Sequence, residues 1–227
     1  MKRVAIPELL DTDSGTPAEI AGSLSDLRWF NQRFGGIATA KSMIRYVAGK
    51  LGVSCLSLLE VAAGSGYVPE TARENLKHDG LRLEITLLDR ARSHLYGADS
   101  DGRNRAVVGD ALALPFLDSS FDLVSSTLFA HHLAPTQLVQ FVDESLRVCR
   151  AAVLINDLVR HPLHLALAYA GSPLYQSRLT RHDAPASVHQ AYTSAEMGSL
   201  LAQTTAARVD LTRHFLFRTG VIAWKRR

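Results

Sequence analysis

The sequence predicts an α/β fold built around a mostly parallel sheet. From residue 55 onward, apolar segments of strand length alternate with amphipathic segments of helix length, an alternation that is typical of βαβ units. The first apolar segment, residues 55–61, is nearly continuous, as expected for a strand that is buried on both faces. The chain has 227 residues, 47% of them hydrophobic, which is sufficient for one domain with a large core.

Two helices are predicted before the sheet begins. Thr16 and Pro17 suit the cap and the first position of a helix, and apolar residues follow at helical spacing. The pair Gly35 and Gly36 separates this helix from a second one, which is predicted over residues 37–51.

Seven strands and five further helices complete the predicted order of elements. The predicted strands are residues 55–61, 81–88, 106–108, 121–126, 151–155, 209–212 and 215–224. The predicted helices are residues 69–78, 90–96, 135–149, 162–170 and 194–203. Residues 171–190 are predicted to form a polar loop.

Charge and composition favour a cytoplasmic protein that has neither nucleic acid nor a membrane as partner. The formal net charge is +3, and the only basic run is the last three residues, 225–227, whereas a nucleic-acid interface needs a concentrated basic patch. No segment approaches the ~20 apolar residues of a membrane span, and no apolar secretory core follows the N-terminus. Cys55 and Cys149 lie far apart in apolar surroundings, which indicates buried free thiols in a reducing compartment.

A glycine-rich turn follows the first predicted strand. Gly64 and Gly66 allow the backbone to turn sharply and to approach a ligand, and Glu60 adds a carboxylate. In an open parallel sheet, ligands bind outside the carboxyl ends of the strands. An ordinary glycine turn between a strand and a helix would use the same residues, so this turn alone does not decide the function.

A carboxylate at the end of the second strand favours a nucleotide-like ligand. Asp89 lies about 20 residues beyond the turn, a position at which a carboxylate can accept hydrogen bonds from the two hydroxyl groups of a ribose. The same side chain can also cap the helix that follows. A nicotinamide cofactor predicts a third glycine where Pro69 stands. A cofactor that has adenosine and a cationic amino-acid end, but no pyrophosphate, therefore fits better.

The sequence resembles the class I S-adenosylmethionine-dependent methyltransferases over residues 37–160. The matching segments are residues 59–66 (LEVAAGSG), 108–116 (VGDALALPF), 121–124 (FDLV) and 153–157 (VLIND). The resemblance implies a Rossmann-like sheet of seven strands in the order 3-2-1-4-5-7-6, with strand 7 antiparallel and helices on both faces. It also implies that residues 1–36 form an N-terminal helical lid and residues 37–227 the methyltransferase domain, in one compact unit.

The resemblance implies S-adenosyl-L-methionine as the cofactor. Asp89 would hold the ribose, while Asp110 would accept the adenine amino group beside the N–H of Ala111. The sequence departs from the family at Ala62, where glycine is usual. The expected cofactor-binding residues are Glu60, Ala62, Gly64, Gly66, Asp89, Arg90, Asp110, Ala111 and Thr127.

Methyl transfer from a sulfonium needs alignment of the acceptor, and a base when the acceptor is a hydroxyl. His131 or His132, after the fourth strand, is the candidate base. Adjacent side chains point in different directions, so one of the two is expected to be structural. Asp157 would orient a histidine or cap the next helix.

No metal is expected, because residues 125–128 supply no carboxylate after the fourth strand and histidines are poor magnesium ligands. Aromatic side chains would roof the pocket for a planar acceptor, although packing in the core explains them equally well. The expected pocket residues are Trp29, Arg33, His161, Tyr169 and Tyr192, with Leu174 and Tyr175 as further candidates.

Within the superfamily, residues 131–133 (HHL) and 26–36 resemble small methyltransferases of quinone biosynthesis and of phenolic or polyketide products. The leading hypothesis is O-methylation of a small aromatic or polyketide-like acceptor. The alternatives are a non-catalytic domain that binds the cofactor and a nicotinamide-dependent oxidoreductase. The residues do not choose between oxygen, nitrogen and carbon acceptors, and they do not indicate an oligomeric state.

Overall fold

A seven-stranded sheet forms the centre of the structure, a computed structural model that describes residues 1–12, 14–95 and 104–226. The strands are β1 (Cys55–Val61), β2 (Arg82–Asp89), β3 (Arg105–Val108), β4 (Phe121–Thr127), β5 (Cys149–Leu158), β6 (Arg208–His214) and β7 (Arg218–Trp224). Their spatial order is β3-β2-β1-β4-β5-β7-β6. β7 is antiparallel to both of its neighbours, whereas the other pairs are parallel. The predicted fold class is confirmed.

Helices cover both faces of the sheet and its carboxyl edge. They are α1 (Pro17–Arg33), α2 (Gly36–Leu51), α3 (Tyr67–His78), α4 (Pro135–Val148), α5 (Pro162–Ala170), α6 (Arg178–Gln190) and α7 (Ser194–Leu201). Residues of α2 and α3 pack against one face of the sheet, and residues of α4 and α7 pack against the other. The core is therefore divided by the sheet into two apolar layers.

The N-terminal helix starts where the sequence predicts and is fixed at both ends. Thr16 and Glu19 form a reciprocal capping box around the first turn. At the other end, the guanidinium of Arg218 donates to the carbonyl oxygen of Phe34 (3.2 Å) and to the side-chain oxygen of Asn31 (3.2 Å). Because Arg218 is only 2% exposed, this anchor holds α1 against the sheet from inside the protein.

The expected polar loop over residues 171–190 was wrong, because α6 occupies most of it, from Arg178 to Gln190. Ser177 caps α6, and Leu179, Ala186 and Val188 are buried. The sequence did not predict this helix, because Pro185 lies inside it and polar residues surround its apolar positions. Tertiary packing therefore overrides the local preference here.

Three smaller expectations also differ from the structure. The predicted helix over residues 90–96 is a short 3-10 turn, Arg92–Leu95, and Tyr96 lies outside the described residues. The last strand begins at Arg218 rather than at Phe215, because residues 216–217 have positive φ angles of 49° and 58° and form a turn. Both cysteines are free, as expected, but Cys55 is exposed rather than buried.

Within the described part of the chain, no helix combines the length and the apolar character that a membrane crossing requires.

Candidate active site

A cavity of about 1060 Å³ opens at the carboxyl ends of β1, β2 and β4. Residues of α1, α5 and α6 line its other side. The volume is at the upper end of the range for small-molecule sites. It is therefore large enough for a nucleoside-containing cofactor together with a second ligand.

The turn after β1 brings the backbone close to this cavity. Ala62, Gly64 and Gly66 have φ angles of 53°, 52° and 71°, in the left-handed region that favours glycine. A Cβ atom on Gly66 would lie 2.6 Å from a methyl group of Leu87, whereas one on Gly64 would meet no atom within 4 Å. Close packing against Leu87 therefore requires glycine at position 66. At Gly64, the position that a Cβ atom would take is free of other protein atoms among the described residues. Ala62 keeps the backbone conformation despite its methyl group.

Asp89 holds the turn in place from the end of β2. Its carboxylate accepts hydrogen bonds from the N–H of Gly64 (2.8 Å) and from the N–H of Ala91 (2.9 Å). The two sequence interpretations of Asp89 are therefore compatible, because one carboxylate caps the following segment while it lines the cavity. Arg90, the next residue, is exposed and also lines the cavity.

The segment after β3 forms the adjacent wall. Asp110 is exposed at the cavity, and its Oδ1 accepts a hydrogen bond from the N–H of Leu112 (2.9 Å). Ala111 lines the cavity beside it. A carboxylate and a neighbouring backbone segment therefore lie side by side at the cavity.

Glu60 lies at the floor of the cavity and is only 3% exposed. Burial raises its pKa to about 7, although hydrogen bonds from the hydroxyl groups of Ser125 and Thr127 act in the opposite direction. Thr127, the last residue of β4, also lines the cavity. The carboxyl of Glu60 is therefore close to half ionised at neutral pH before any cationic ligand binds.

His131 lies between two carboxylates. Its Nδ1 is 2.6 Å from Oδ1 of Asp157, and its Nε2 is 3.4 Å from Oε1 of Glu8. Burial lowers the pKa of His131, but the charge of Asp157, the hydrogen bond to Asp157 and the nearby carboxylate of Glu8 outweigh it and raise the pKa to about 10. The same interactions lower the pKa of Asp157 and of Glu8. His131 therefore carries a proton at neutral pH.

His132 is more accessible than its neighbour. Its side chain is 20% exposed and lines the cavity, and its Nδ1 is 2.9 Å from Oδ2 of Asp11. In the tautomer in which Nδ1 donates to Asp11, Nε2 is left as an acceptor. The Asp11–His132 pair thus has the form of an oriented general base.

The expected pocket residues do not all meet at the cavity. Trp29 lines it and packs edge-on against Phe34, with ring centroids 5.1 Å apart. Arg33 and Tyr169 are exposed and lie outside the lining. His161 caps α5 instead, and Tyr192 is buried, with its hydroxyl donating to the carbonyl oxygen of Leu133 (2.6 Å). The pocket candidates Leu174 and Tyr175 do line the cavity.

Glu8 and Asp11 are the site residues that sequence reasoning missed. Both come from the segment before α1, more than 100 residues from the two histidines. Asp157 and Gly66 do not line the cavity themselves. Asp157 contacts His131, and Gly66 is part of the turn after β1.

A protein family described as methyltransferase domain matches residues 59–155. This match includes the glycine turn, Asp89, Asp110 and the two histidines. Together with the sheet order, it confirms the predicted methyltransferase domain over residues 59–155, and the cofactor is S-adenosyl-L-methionine. The nicotinamide alternative is therefore wrong.

Solved structures with a similar fold include the following two methyltransferases. The plantazolicin methyltransferase BpumL, in complex with a monoazolic desmethylPZN analogue and SAH, is 14% identical; the alignment covers 96% of this chain and 95% of that one, with a TM-score of 0.70. The magnesium protoporphyrin IX methyltransferase ChlM from Synechocystis PCC 6803, with bound SAH, is 12% identical over 85% and 84%, with a TM-score of 0.57. At these identities the likeness concerns the fold. No curated protein sequence gave a significant match.

Proposed function

We propose that the protein transfers a methyl group from S-adenosylmethionine to a hydroxyl of a small aromatic or polyketide-like acceptor. The observation that carries this proposal is the Asp11–His132 pair, which borders a cavity that also contains the nucleotide-facing residues. A non-catalytic binding domain would have no need of an oriented imidazole at this place.

The cofactor occupies the half of the cavity next to β1 and β2. Asp89 accepts the ribose hydroxyls, Asp110 accepts the adenine amino group, and the turn at Gly64 adjoins the methionine end. Glu60 attracts the cationic amino group of that end. The nearby positive charge in turn lowers the pKa of the Glu60 carboxyl and so favours its ionised form. The bound cofactor supplies an electrophilic methyl group.

The acceptor occupies the half that faces α1 and α6. Phe30, Phe34, Tyr175 and Phe217 line this part, and Phe30 meets Tyr175 edge-on with ring centroids 5.4 Å apart. Such a lining suits a planar apolar molecule. Residues 1–36 are the lid in this proposal, because α1 and the segment before it cover the acceptor and contribute Asp11 to the site.

His132, rather than His131, takes the proton of the acceptor hydroxyl. His131 already holds a proton and its side chain is only 3% exposed, against 20% for His132, so it is the structural member of the pair. As the bond from the acceptor oxygen to the methyl carbon forms and the carbon–sulfur bond breaks, the proton moves to Nε2 of His132, and Asp11 stabilises the imidazolium.

A screen of acceptors tests the proposal. Phenols, catechols and naphthols are supplied with S-adenosylmethionine, their matched anilines serve as nitrogen acceptors, and S-adenosylhomocysteine release is measured. We expect turnover with at least one hydroxyl acceptor and a loss of kcat by 10²-fold or more in His132→Ala, in the range for general bases. His78→Ala, an exposed histidine on α3, is the matched control. Turnover with anilines alone, or an unchanged kcat in His132→Ala, would contradict the proposal.

A further inference from the structure

Two histidines and a glutamate from distant parts of the chain converge at the acceptor side of the cavity. Ring nitrogens of His131 and His132 and a carboxylate oxygen of Glu8 all lie within 4.8 Å of one another. Nε2 of His131 is 3.4 Å, and Nε2 of His132 is 3.8 Å, from Oε1 of Glu8. All three residues line the cavity.

Each of these three side chains is oriented by a further polar contact. Nδ1 of His131 is held by Asp157 at 2.6 Å, and Nδ1 of His132 is held by Asp11 at 2.9 Å. Glu8 accepts hydrogen bonds from the hydroxyl of Ser187 (2.6 Å) and from the side-chain amide of Gln190 (3.3 Å). Carboxylates on the far nitrogen of each imidazole are the arrangement that orients histidine ligands in metal sites.

A second observation points to a missing ligand at this place. Nε2 of His131 is buried and makes no hydrogen bond to any described residue, although the side chain is only 3% exposed; Oε1 of Glu8 lies 3.4 Å away. A buried polar atom without a hydrogen bond is costly. A divalent cation that displaced the proton of His131 to solvent would lie between Nε2 and Glu8 and bind both.

Two of the three distances between ligand atoms fit a first-row transition ion, and the third is within 4.8 Å. Tetrahedral zinc lies about 2.0–2.2 Å from nitrogen and oxygen ligands, which places the ligand atoms about 3.4 Å apart. The two nitrogen–oxygen distances observed, 3.4 and 3.8 Å, need a closure of only a few tenths of an ångström. Two imidazoles and one carboxylate suit zinc and related ions better than magnesium, which prefers oxygen ligands.

We propose that Glu8, His131 and His132 form a binding site for a divalent first-row transition ion such as zinc, with a fourth position open toward the cavity. The expectation of no metal considered only carboxylates after β4 and β5, whereas Glu8 comes from the N-terminal segment.

The site has a consequence that rests on the proposed function. An acceptor hydroxyl in the fourth position would lose its proton more readily, because a bound divalent ion stabilises the oxyanion. With Nε2 of His132 bound to the ion, the hydroxyl proton would go to solvent instead of to His132, and Asp11 and Asp157 would orient the ligands.

Metal titration of the chelator-treated protein tests the site without any acceptor. Zn²⁺ affinity is measured by competition with a chromophoric chelator, and Co²⁺ is followed by its visible absorption. We expect one equivalent of each ion to bind to the wild type and to His78→Ala. In Glu8→Gln and His132→Ala we expect at least a tenfold loss of affinity. Circular dichroism and S-adenosylhomocysteine binding show that the variants are folded.

Asp11→Asn provides a second variant that leaves all three ligands in place. The side chain of Asp11 is 48% exposed, so this change is not expected to disturb folding, and removal of an orienting carboxylate typically costs 10- to 100-fold in metal affinity. Failure to bind one equivalent, or equal affinity in wild type, Glu8→Gln and Asp11→Asn, would overturn the site. Turnover of phenols in excess chelator would then leave the proposed function intact, whereas metal binding without turnover of any acceptor would refute the proposed function alone.

Discussion

The buried carboxyl of Glu60 makes the stability of the protein depend on pH in an unusual direction. Its pKa is about 7 in the folded protein against 4.5 for an ordinary glutamate. Between these values the folded protein keeps a proton that the unfolded chain has lost. The free energy of unfolding therefore falls as pH rises, and the contribution is lost completely above pH 7.

The size of the effect follows from the difference in pKa. The raised pKa corresponds to about 3 kcal/mol in total. Most of this change falls between pH 5 and pH 8, because the unfolded carboxyl is already mostly ionised at pH 5. Replacement of Glu60 by Gln removes the titrating group and with it this pH dependence.

Urea unfolding at pH 5, 6, 7 and 8 measures the effect in the absence of cofactor. We expect the unfolding free energy of the wild type, relative to Glu60→Gln, to fall by about 2 to 3 kcal/mol across this range. Glu84→Gln, at an exposed position on β2, is the matched control and should follow the wild type. If the wild type and Glu60→Gln change in parallel to within about 0.5 kcal/mol, the carboxyl of Glu60 does not keep its proton up to neutral pH in the folded protein.

Three further substitutions test the local conformations that shape the site, each by urea unfolding. Ala62→Gly relieves a φ of 53° and should raise the unfolding free energy by about 1 kcal/mol; a loss of stability would contradict the strain argument. Gly66→Ala should lower it by about 2 kcal/mol or more, because the new methyl group meets Leu87 at 2.6 Å, and a neutral result would be incompatible with that contact. Asp26→Ala leaves the N–H groups of residues 176–177 without their acceptor and should cost about 2 kcal/mol, whereas an effect below 0.5 kcal/mol would show that water replaces it.

Much of the sheet could be predicted from the sequence, because strands buried on both faces are nearly continuous apolar segments. The segment 55–61 has this pattern, and its predicted bounds coincide with those of β1. The glycine pair at 35–36 likewise marked the end of α1, since Gly35 adopts a φ of 80°. Residues that are neighbours in the sequence determine these features, so the sequence was sufficient to predict them.

Other features depend on contacts between distant residues and left no local signal. Glu8 reaches the histidine pair only because the segment before α1 folds back over the cavity. α6 forms because its apolar face is buried, although Pro185 argues against a helix. The aromatic residue Tyr192 was expected at the pocket but contributes to the core, and no pattern in the sequence distinguishes these two environments.

Calorimetric titration with S-adenosylmethionine, S-adenosylhomocysteine and NADH tests the central claim most directly, in the wild type, Asp110→Ala and Asp118→Ala. Asp110 lines the cavity, while the side chain of Asp118 is 76% exposed and lies outside the lining, which makes it a matched control. We expect both sulfur compounds to bind with a stoichiometry of one to the wild type and to Asp118→Ala. In Asp110→Ala their affinity should fall at least tenfold, or about 1.4 kcal/mol, and NADH should not bind. Binding of NADH but of neither sulfur compound would contradict the assignment of this cavity to S-adenosylmethionine.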